Sequence, residues 1–293
     1  MQDESDRSER RHAPPDPAEI TAALAAEDPT RRREAIDAFG RLVRSDVDSA
    51  AEHAGAVARQ LDDESRVVAR GAAEVLVPVA DEHPDTLLGE LDRVVALLAA
   101  DTVDLSVAGA RLLSPLGVDR PQAVARHTDR LLEILIDDAV PKPEAAVPES
   151  VDRVGTRQMV RSVQQESLKR RRYVRQTIAN VIVAAAESDP TSIDDVAGLE
   201  ALLDDPDPGV VGPALDALGN IAQADADRTR QTLDSVLACV EHENTQVRAR
   251  AVRTLGYMGA ESAVQTLERV AVEDDEEAVR ELAAETATFL SGE

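Results

Sequence analysis

Apolar residues recur along the chain with the spacing of an amphipathic helix, and the clearest example lies between Asn244 and Gly259. Val247, Ala251 and Leu255 follow one another at steps of four residues, so their side chains share one face of a helix. Asn244 is a favourable N-cap, because its side chain accepts a hydrogen bond from a free backbone N–H group of the first turn. The stretch therefore predicts a helix whose apolar face needs a partner, and glycine is expected where this helix closes.

The same apolar triplet recurs at seven places. The first residues of successive triplets lie 32 to 40 residues apart, with one exception of 66 residues. A period of this length is typical of a repeat made of two helices. The triplets are Arg31/Ala35/Phe39, Val68/Ala72/Leu76, Ala108/Leu112/Leu116, Val174/Ile178/Ile182, Val210/Ala214/Leu218, Val247/Ala251/Leu255 and Val279/Ala283/Ala287.

A first amphipathic helix is predicted before each triplet, and it ends in a short, mostly acidic turn. One pair of helices cannot bury its apolar stripes alone, whereas stacked pairs bury them against each other. The pattern therefore predicts an all-α fold, an α-solenoid (α–α superhelix) of about seven antiparallel helix pairs over residues 17–293. The predicted first helices span residues 17–26, 50–61, 85–99, 121–136, 192–203, 229–240 and 262–272.

The repeat resembles the HEAT repeat family, in its short form similar to that of phycobilisome lyases. That family's pattern reads acidic-x-x-Val-Arg-x-x-Ala-x-x-x-Leu-Gly, and the resemblance covers about residues 17–293. It implies the solenoid fold and leaves the function open, because such repeats serve scaffolds, adaptors and a few enzymes. The best-matching residues are Asn244, Val247, Arg248, Ala251, Leu255 and Gly256, followed by Asp207, Val210, Ala214, Leu218 and Gly219.

Arginine directly follows the first triplet residue in four repeats. We expect these arginines to bond across to the acidic turns of neighbouring pairs and to hold the stack in register, although contact with a ligand is the alternative. The arginines are Arg32, Arg175, Arg248 and Arg280. The residue six positions after the first residue of each triplet is expected to point outward. These residues form an outward line that is mixed and largely acidic: Asp37, Glu74, Ser114, Asn180, Asp216, Arg253 and Glu285.

The gap of 66 residues indicates an insertion near residues 139–168, inside the fourth pair. Its first part, residues 139–148, is rich in proline and predicts an extended loop, and helical periodicity resumes at Ser150. The segment from Val151 to Arg175 contains eight basic residues and two acidic ones, Asp152 and Glu166.

Two interpretations of this basic segment stay open. Either the fourth helix is extended and its arginines pair with acidic neighbours, or the segment is a docking surface for an acidic protein partner. The candidate partner-binding residues are Arg153, Arg157, Arg161, Arg170, Arg171, Arg172 and Arg175.

The chain is strongly acidic, with 57 Asp and Glu residues against 32 Lys and Arg and a formal net charge of −25. Such a surface repels polyanions and anionic membranes, and concentrated salt screens its self-repulsion. We therefore expect a salt-adapted cytoplasm, as in halophilic archaea; the alternative is an ordinary acidic protein. Nucleic acid fits the basic segment less well than protein does, because the remaining chain repels phosphates and only Tyr173 is available for base stacking.

Candidate chemistry is sparse. Cys239 is the only cysteine, which excludes an intramolecular disulfide and a multi-cysteine metal site, and its apolar neighbours predict a buried thiol. The five histidines are scattered over separate repeats, and the single His242-Glu243 pair resembles the dipeptide that metal-binding HEAT-like hydroxylases need several times over. We expect a solvated turn there, no metal and no cofactor.

These observations predict a non-catalytic protein–protein interaction scaffold or adaptor. The alternatives are an enzyme of the bilin-lyase type, for which four scattered aromatic residues are too few to line a tetrapyrrole pocket, and an assembly factor for an enzyme complex. No apolar run reaches the roughly 20 residues that span a bilayer. Residues 1–16 are charged and contain proline, so we expect a disordered tail rather than a signal peptide. The oligomeric state stays open.

Overall fold

The computed structural model describes residues 16–138 and 154–292, with the backbone alone for residues 154–161. Within these ranges all regular structure is helical, with sixteen α-helices and short 3-10 segments between them. They form seven antiparallel helix pairs, so the predicted all-α fold of stacked pairs is confirmed. The chain divides into two compact units at residues 120 and 121.

The first unit contains pairs one to three. In each pair a short or segmented first helix precedes a long second helix that carries the apolar triplet, and the second helices pack side by side, α2 on α5 and α5 on α7. The elements are α1 Pro17–Leu24 and α2 Pro29–Ser45, then α3 Val47–Ala51, α4 Ala54–Ala58 and α5 Arg66–Glu82, then the 3-10 segment Pro84–Glu90, α6 Leu91–Leu98 and α7 Val103–Asp119.

The second unit contains pairs four to seven in the same arrangement. Its second helices pack in the order α10, α12, α14 and α16. The α-helices are α8 Pro121–Ala125, α9 Thr128–Asp137, α10 Val154–Ser188, α11 Val196–Ala201, α12 Pro208–Ala224, α13 Leu233–Ala238, α14 Thr245–Tyr257, α15 Val264–Glu273 and α16 Glu277–Ser291. The 3-10 segments are Pro190–Ser192, Leu202–Asp204, Ala226–Thr232, Cys239–Glu241 and Glu261–Ala263.

The first helices differ from the prediction because most of them are broken. The predicted helix over residues 50–61 is divided at Glu52 and His53, where the backbone N–H of His53 donates to the carbonyl of Ala50 at 3.0 Å in a 3-10 bond. Helices of one or two turns gain little from their own hydrogen bonds, so tertiary packing decides their local geometry. Apolar periodicity locates such segments and does not reveal the breaks.

The triplets form the core as predicted. Every apolar member of the seven triplets is buried, with Phe39, Leu76 and Leu255 all 0% exposed, whereas Arg31 in the first repeat is exposed. The expected N-caps are also present: Asn244 accepts a hydrogen bond from the backbone N–H of Gln246 at 2.9 Å, and two aspartates cap α2 and α12 in the same way.

Glycines on the second helices permit close packing as well as helix ends. Gly259 ends α14 with a φ of 61°, the left-handed conformation that glycine adopts without strain. Gly40 and Gly219 lie inside helices instead. A Cβ atom at Gly40 would lie 3.0 Å from Val75 Cγ1, and one at Gly219 would lie 3.1 Å from Tyr257 Cδ2. These glycines therefore let a side chain of the next second helix lie against the backbone.

Two predicted segments fall partly outside the described residues. Residues 1–15 of the expected tail and residues 139–153 of the insertion are not described, while Asp16 caps α1 by accepting from the backbone N–H of Ala18 at 2.8 Å. The rest of the predicted insertion, from residue 154 to 168, belongs to α10, which is one continuous helix of 35 residues.

Candidate functional site

A buried arginine joins consecutive pairs at the turns between their helices. Arg248 donates from Nε and Nη2 to the carboxylate of Asp274, at 2.7 and 2.9 Å, and from Nη1 to the carbonyl of His242 at 3.0 Å. The two charged side chains are 13% and 5% exposed. The hydrogen bond from Arg248 is the largest cause that holds the pKa of Asp274 below its ordinary value. The pair therefore ties the sixth turn to the seventh.

The same tie recurs in both units. Arg32 donates from Nε and Nη2 to Asp63 at 2.6 and 2.9 Å, and Arg175 donates to Asp205 and to the carbonyl of Leu135, the latter at 2.7 Å. The prediction that these arginines hold the stack in register is confirmed for Arg32, Arg175 and Arg248. Among the described residues, the bond shown for Arg280 in the last pair is to the carbonyl of Asp274 in its own turn, at 2.6 Å.

Arg175 is consequently not a surface residue. Its side chain is 1% exposed, and its Nε is a buried nitrogen without a hydrogen-bond partner among the described residues. Its inclusion among the partner-binding residues was wrong, because a basic residue directly after a triplet position points into the turn of the next pair and not to solvent.

The other predicted binding residues all lie on or before the N-terminal half of α10. Arg171 donates to Asp138 at 2.6 Å and is 39% exposed, and Arg170 is partly buried. Arg172 is exposed. Arg153 lies outside the described residues, and the side chains of Arg157 and Arg161 are not described.

The described side chains from residue 162 to 173 include no buried one, and the buried part of α10 begins at Val174. Val163 is 62% exposed and Tyr173 is 42% exposed. Exposed positions recur every three to four residues, which places Lys169, Arg172 and Tyr173 on one helix face. We call these three residues the basic face of α10.

Two depressions lie over the second helices, and each contains two residues of the predicted outward line. The first, of about 500 Å³, lies in the first unit and is called the charged groove. It is lined by Arg33, Asp37, Arg66, Arg70, Glu74 and Asp104, among others. The second, of about 520 Å³, lies in the second unit and is called the aromatic cleft. It is lined by Arg253, Tyr257, Leu282, Glu285 and Phe289, among others.

Sequence reasoning missed the aromatic cleft. The signal that could have found it is the position of Tyr257 and Phe289, both two residues after a third triplet residue and therefore off the buried stripe. In a chain with four aromatic residues, two exposed ones on adjacent second helices form an unusual concentration of accessible apolar area.

Cys239 and His242 have structural roles. Cys239 is 5% exposed, and burial, with a smaller contribution from the charge of Asp204, raises the pKa of its thiol to about 11. The prediction of a buried thiol is confirmed. His242 Nδ1 accepts from the backbone N–H of Asn244 at 2.9 Å and so stabilises the turn.

The described residues include no group of three or more His, Cys, Asp and Glu side chains that could hold a metal ion. Of the helices described, none is long and apolar enough to cross a membrane.

Stacked antiparallel helix pairs, tied turn to turn by arginine, define the class of α-solenoid repeat proteins. Within that class, the sequence model of the HEAT repeats family matches residues 196–288. The resemblance to HEAT repeats predicted from the sequence is confirmed over this part of the chain. No curated protein matches the chain.

Solved structures share the fold. An archaeal HEAT-like repeats protein from Thermococcus onnurineus NA1 is 13% identical, with a TM-score of 0.56, and the match covers 96% of this chain and 99% of that one. Computationally designed armadillo repeat proteins for modular peptide recognition give 16% identity and a TM-score of 0.58, covering 83% and 99%. A designed armadillo repeat protein in complex with the peptide (KR)4 gives 15% and 0.53, covering 82% and 98%. At these identities the likeness shows the fold alone.

Proposed function

We propose that this chain is a non-catalytic scaffold that binds another protein. Stacked helix pairs present long surfaces that each repeat extends, and this suits extended segments of a partner. Two of the structures with this fold were designed for, or solved with, peptides. Both observations support protein binding as the general function.

The observation that carries a specific site is the basic face of α10. The helix is about 52 Å long, whereas α9, the longest first-helix segment in its pair, is about 15 Å long. Its N-terminal half therefore extends past its partner helix, and none of its side chains described between residues 162 and 173 is buried. Lys169 and Arg172 are exposed there, in a chain whose formal net charge is −25. We assign this face to an acidic segment of a partner protein.

Arg171 and Arg175 support the face from behind. Arg175 is buried where the exposed half of α10 ends, and it donates to the carbonyl of Leu135 on α9. Arg171 donates to Asp138 at the end of α9. Tyr173 adds a ring with a polar tip, which suits a protein interface. The segment is thus held at its base while Lys169, Arg172 and Tyr173 remain accessible.

A short acidic peptide fits this face better than a nucleic acid duplex. A peptide can contact Lys169 and Arg172 without approaching the acidic remainder of the chain. A duplex carries closely spaced phosphates over a greater length, and these would meet the acidic surfaces on either side. Tyr173 alone also offers little stacking for a single strand.

The test uses the full chain and a fluorescently labelled (Glu-Ala)6 peptide, followed by anisotropy at low and moderate salt. We expect binding that weakens with salt, because exposed charges are screened over about 8 Å at 0.15 M ionic strength. The triple variant K169E/R170E/R172E should bind at least about tenfold more weakly. The matched control R31E/R41E/R44E makes the same change in net charge on α2 and should bind as the wild-type chain does.

Equal loss in both triple variants would refute the site, because it would show a response to net charge alone. A DNA duplex of 12 base pairs serves as the competing ligand. If it binds more tightly than the peptide at the same salt and loses affinity in K169E/R170E/R172E, the partner class proposed here is wrong.

We also propose that the protein works in a salt-rich cytoplasm. The formal net charge of −25 supports this, because self-repulsion destabilises a compact acidic chain and salt screens it. The free energy of unfolding should rise between 0.1 and 1 M KCl. A flat or falling dependence would favour the alternative of an ordinary acidic protein.

A further inference from the structure

The aromatic cleft is built by the last three second helices, α12, α14 and α16. Its floor is small and tightly packed: a Cβ atom at Gly256 would lie 3.1 Å from Thr286 Cγ2, so α16 approaches the backbone of α14 closely. The ring of Tyr257 lies against α12 at Gly219. The depression is therefore held by helix packing and not by loops, which makes it a preformed surface feature.

The walls of the cleft expose apolar side chains. Phe289 is 73% exposed and Tyr257 is 41% exposed, and Leu282 lines the same depression. Leu282 and Phe289 are seven residues apart on α16 and so share one helix face. A volume of about 520 Å³ lies in the range of protein pockets that bind small ligands, and it can also take one or two large side chains.

The charged side chains around the cleft differ in whether they have a partner. Arg253, the cation in the lining, donates to Asp216 at 2.7 Å and shares this carboxylate with Arg250. Glu285 lines the cleft, and Glu281 stands one helical turn before it. Both are exposed and make no hydrogen bond or ion pair among the described residues. The two side chains beside the apolar walls that lack any charged partner among the described residues are therefore carboxylates.

We propose that the aromatic cleft binds a short segment of a partner protein that combines a bulky apolar side chain with lysine or arginine. The apolar side chain enters between Tyr257 and Phe289, and the basic side chain pairs with Glu285 and Glu281. An anionic membrane surface is excluded by the same carboxylates. This site is separate from the basic face of α10. It selects a basic segment, whereas the basic face selects an acidic one, so either proposal can fail without the other.

The test uses the full chain and four labelled octapeptides: (Lys-Leu)4, (Lys-Gly)4, (Glu-Leu)4 and (Ser-Leu)4. Titrations at 0.5 M KCl reduce the general attraction of basic peptides to an acidic protein. We expect (Lys-Leu)4 to bind at least about tenfold more tightly than the other three, because it alone satisfies both the apolar walls and the carboxylates.

Variants locate the binding. F289S and Y257S should each weaken (Lys-Leu)4 binding by about tenfold or more, since aromatic side chains dominate interface energetics. E281Q/E285Q should weaken it by roughly three- to tenfold and reduce its salt dependence. Phe289 is largely exposed, so F289S should keep the wild-type circular dichroism spectrum and unfolding midpoint.

The matched controls lie in the first unit. V118S removes an apolar side chain that is 76% exposed, and E34Q/E82Q removes two exposed carboxylates. Both should bind (Lys-Leu)4 as the wild-type chain does. Equal binding by F289S, equal loss in the controls, or no binding of (Lys-Leu)4 would each overturn the proposal.

A second copy of the chain is the competing occupant. Sedimentation of the wild-type chain and F289S decides this point: a dimer that dissociates on the substitution would show that the cleft is a self-association surface and would overturn the assignment. A monomer in both cases, with the peptide results above, supports it.

Discussion

The charged groove and the aromatic cleft both lie over second helices, one in each unit, and each contains two residues of the outward line, but they differ in how far their charged side chains are paired. In the charged groove Arg70 donates to Glu74 at 2.8 Å and to Asp104 at 3.1 Å. In the aromatic cleft the carboxylate of Glu285 has no partner among the described residues, and the ring of Phe289 is largely in solvent.

This difference teaches that position on a repeat does not define a binding site. The groove's exposed ion pairs satisfy one another, so they offer a partner little that water and salt do not already offer. Both surfaces expose apolar area, since Val67 in the groove is 60% exposed, but the cleft adds two aromatic rings and a carboxylate without a partner among the described residues. Both additions gain from a complementary segment. The same kind of buried apolar stripe lies below both surfaces, so substitutions can test the comparison.

The largest effect is expected from that shared stripe. Leu76 in the first unit and Leu255 in the second are both 0% exposed. Replacing either by alanine should lower the free energy of unfolding by about 2–5 kcal/mol, because a methyl-rich side chain is lost and a cavity remains. Denaturant unfolding measures both, with Val272→Ala, at a position 79% exposed, as the control. A loss below about 0.5 kcal/mol for either leucine would show that its helix face is wrongly assigned.

A smaller loss is expected at the arginine ties. Arg248→Met keeps most of the aliphatic stem and removes every bond to Asp274 and to the carbonyl of His242. Because the Asp274 carboxylate is 5% exposed and then keeps only the hydrogen bond from the backbone N–H of Glu276 among the described residues, unfolding should become easier by about 1–3 kcal/mol. Arg269→Met is the matched control, since Arg269 is 45% exposed and its ion pairs lie on the surface. If the control loses as much as Arg248→Met, burial is not what makes the tie stabilising.

Much of this architecture could be predicted from the sequence. Apolar residues at steps of four and the N-caps of the second helices are local signals, and α2, α12 and α14 follow them. Arg248 also carries a local signal, because a residue directly after a triplet position must lie at the edge of the buried stripe.

The surfaces could not be predicted in the same way. Exposure of Phe289 depends on where α16 lies against α14, which involves contacts among three repeats. Arg175 carried the same basic signal as Arg172, yet one is buried and the other exposed, because a shift of three residues along α10 crosses from the projecting half to the packed half. A count of charges over a stretch of sequence does not distinguish a buried arginine from an exposed one.

The pH dependence of stability tests the arginine ties in both units. The pKa of Asp274 is lowered in the folded chain, chiefly by the hydrogen bond from Arg248. The pKa of Asp63 is also lowered; burial is its largest single influence and acts upward, but the bonds from Arg32 and Ser65 outweigh it. A lowered carboxyl pKa contributes stability above the unfolded value of about 3.9, and this is lost as pH falls through the folded pKa.

Asp274→Asn and Asp63→Asn should therefore be less stable than the wild-type chain at pH 7 and should lose less stability between pH 5 and pH 3. Urea unfolding across this range measures both. Asp225→Asn is the comparison, because Asp225 caps a 3-10 segment without an arginine partner in the bonds that the structure shows. Curves parallel to the wild-type curve for both Asp274→Asn and Asp63→Asn would contradict the assigned ties.

The smallest effect is expected in the charged groove itself. Arg70→Gln removes an arginine that is 54% exposed and breaks its bonds to Glu74 and Asp104. Because an exposed ion pair exchanges one set of solvated partners for another, the unfolding midpoint should not change measurably, and (Lys-Leu)4 binding should stay at the wild-type level. Urea unfolding and the peptide titration provide both readings. A loss of stability equal to that of Arg248→Met would mean that the groove's ion pairs hold α2, α5 and α7 together, and the contrast with the cleft would then lie in stability as well as in binding.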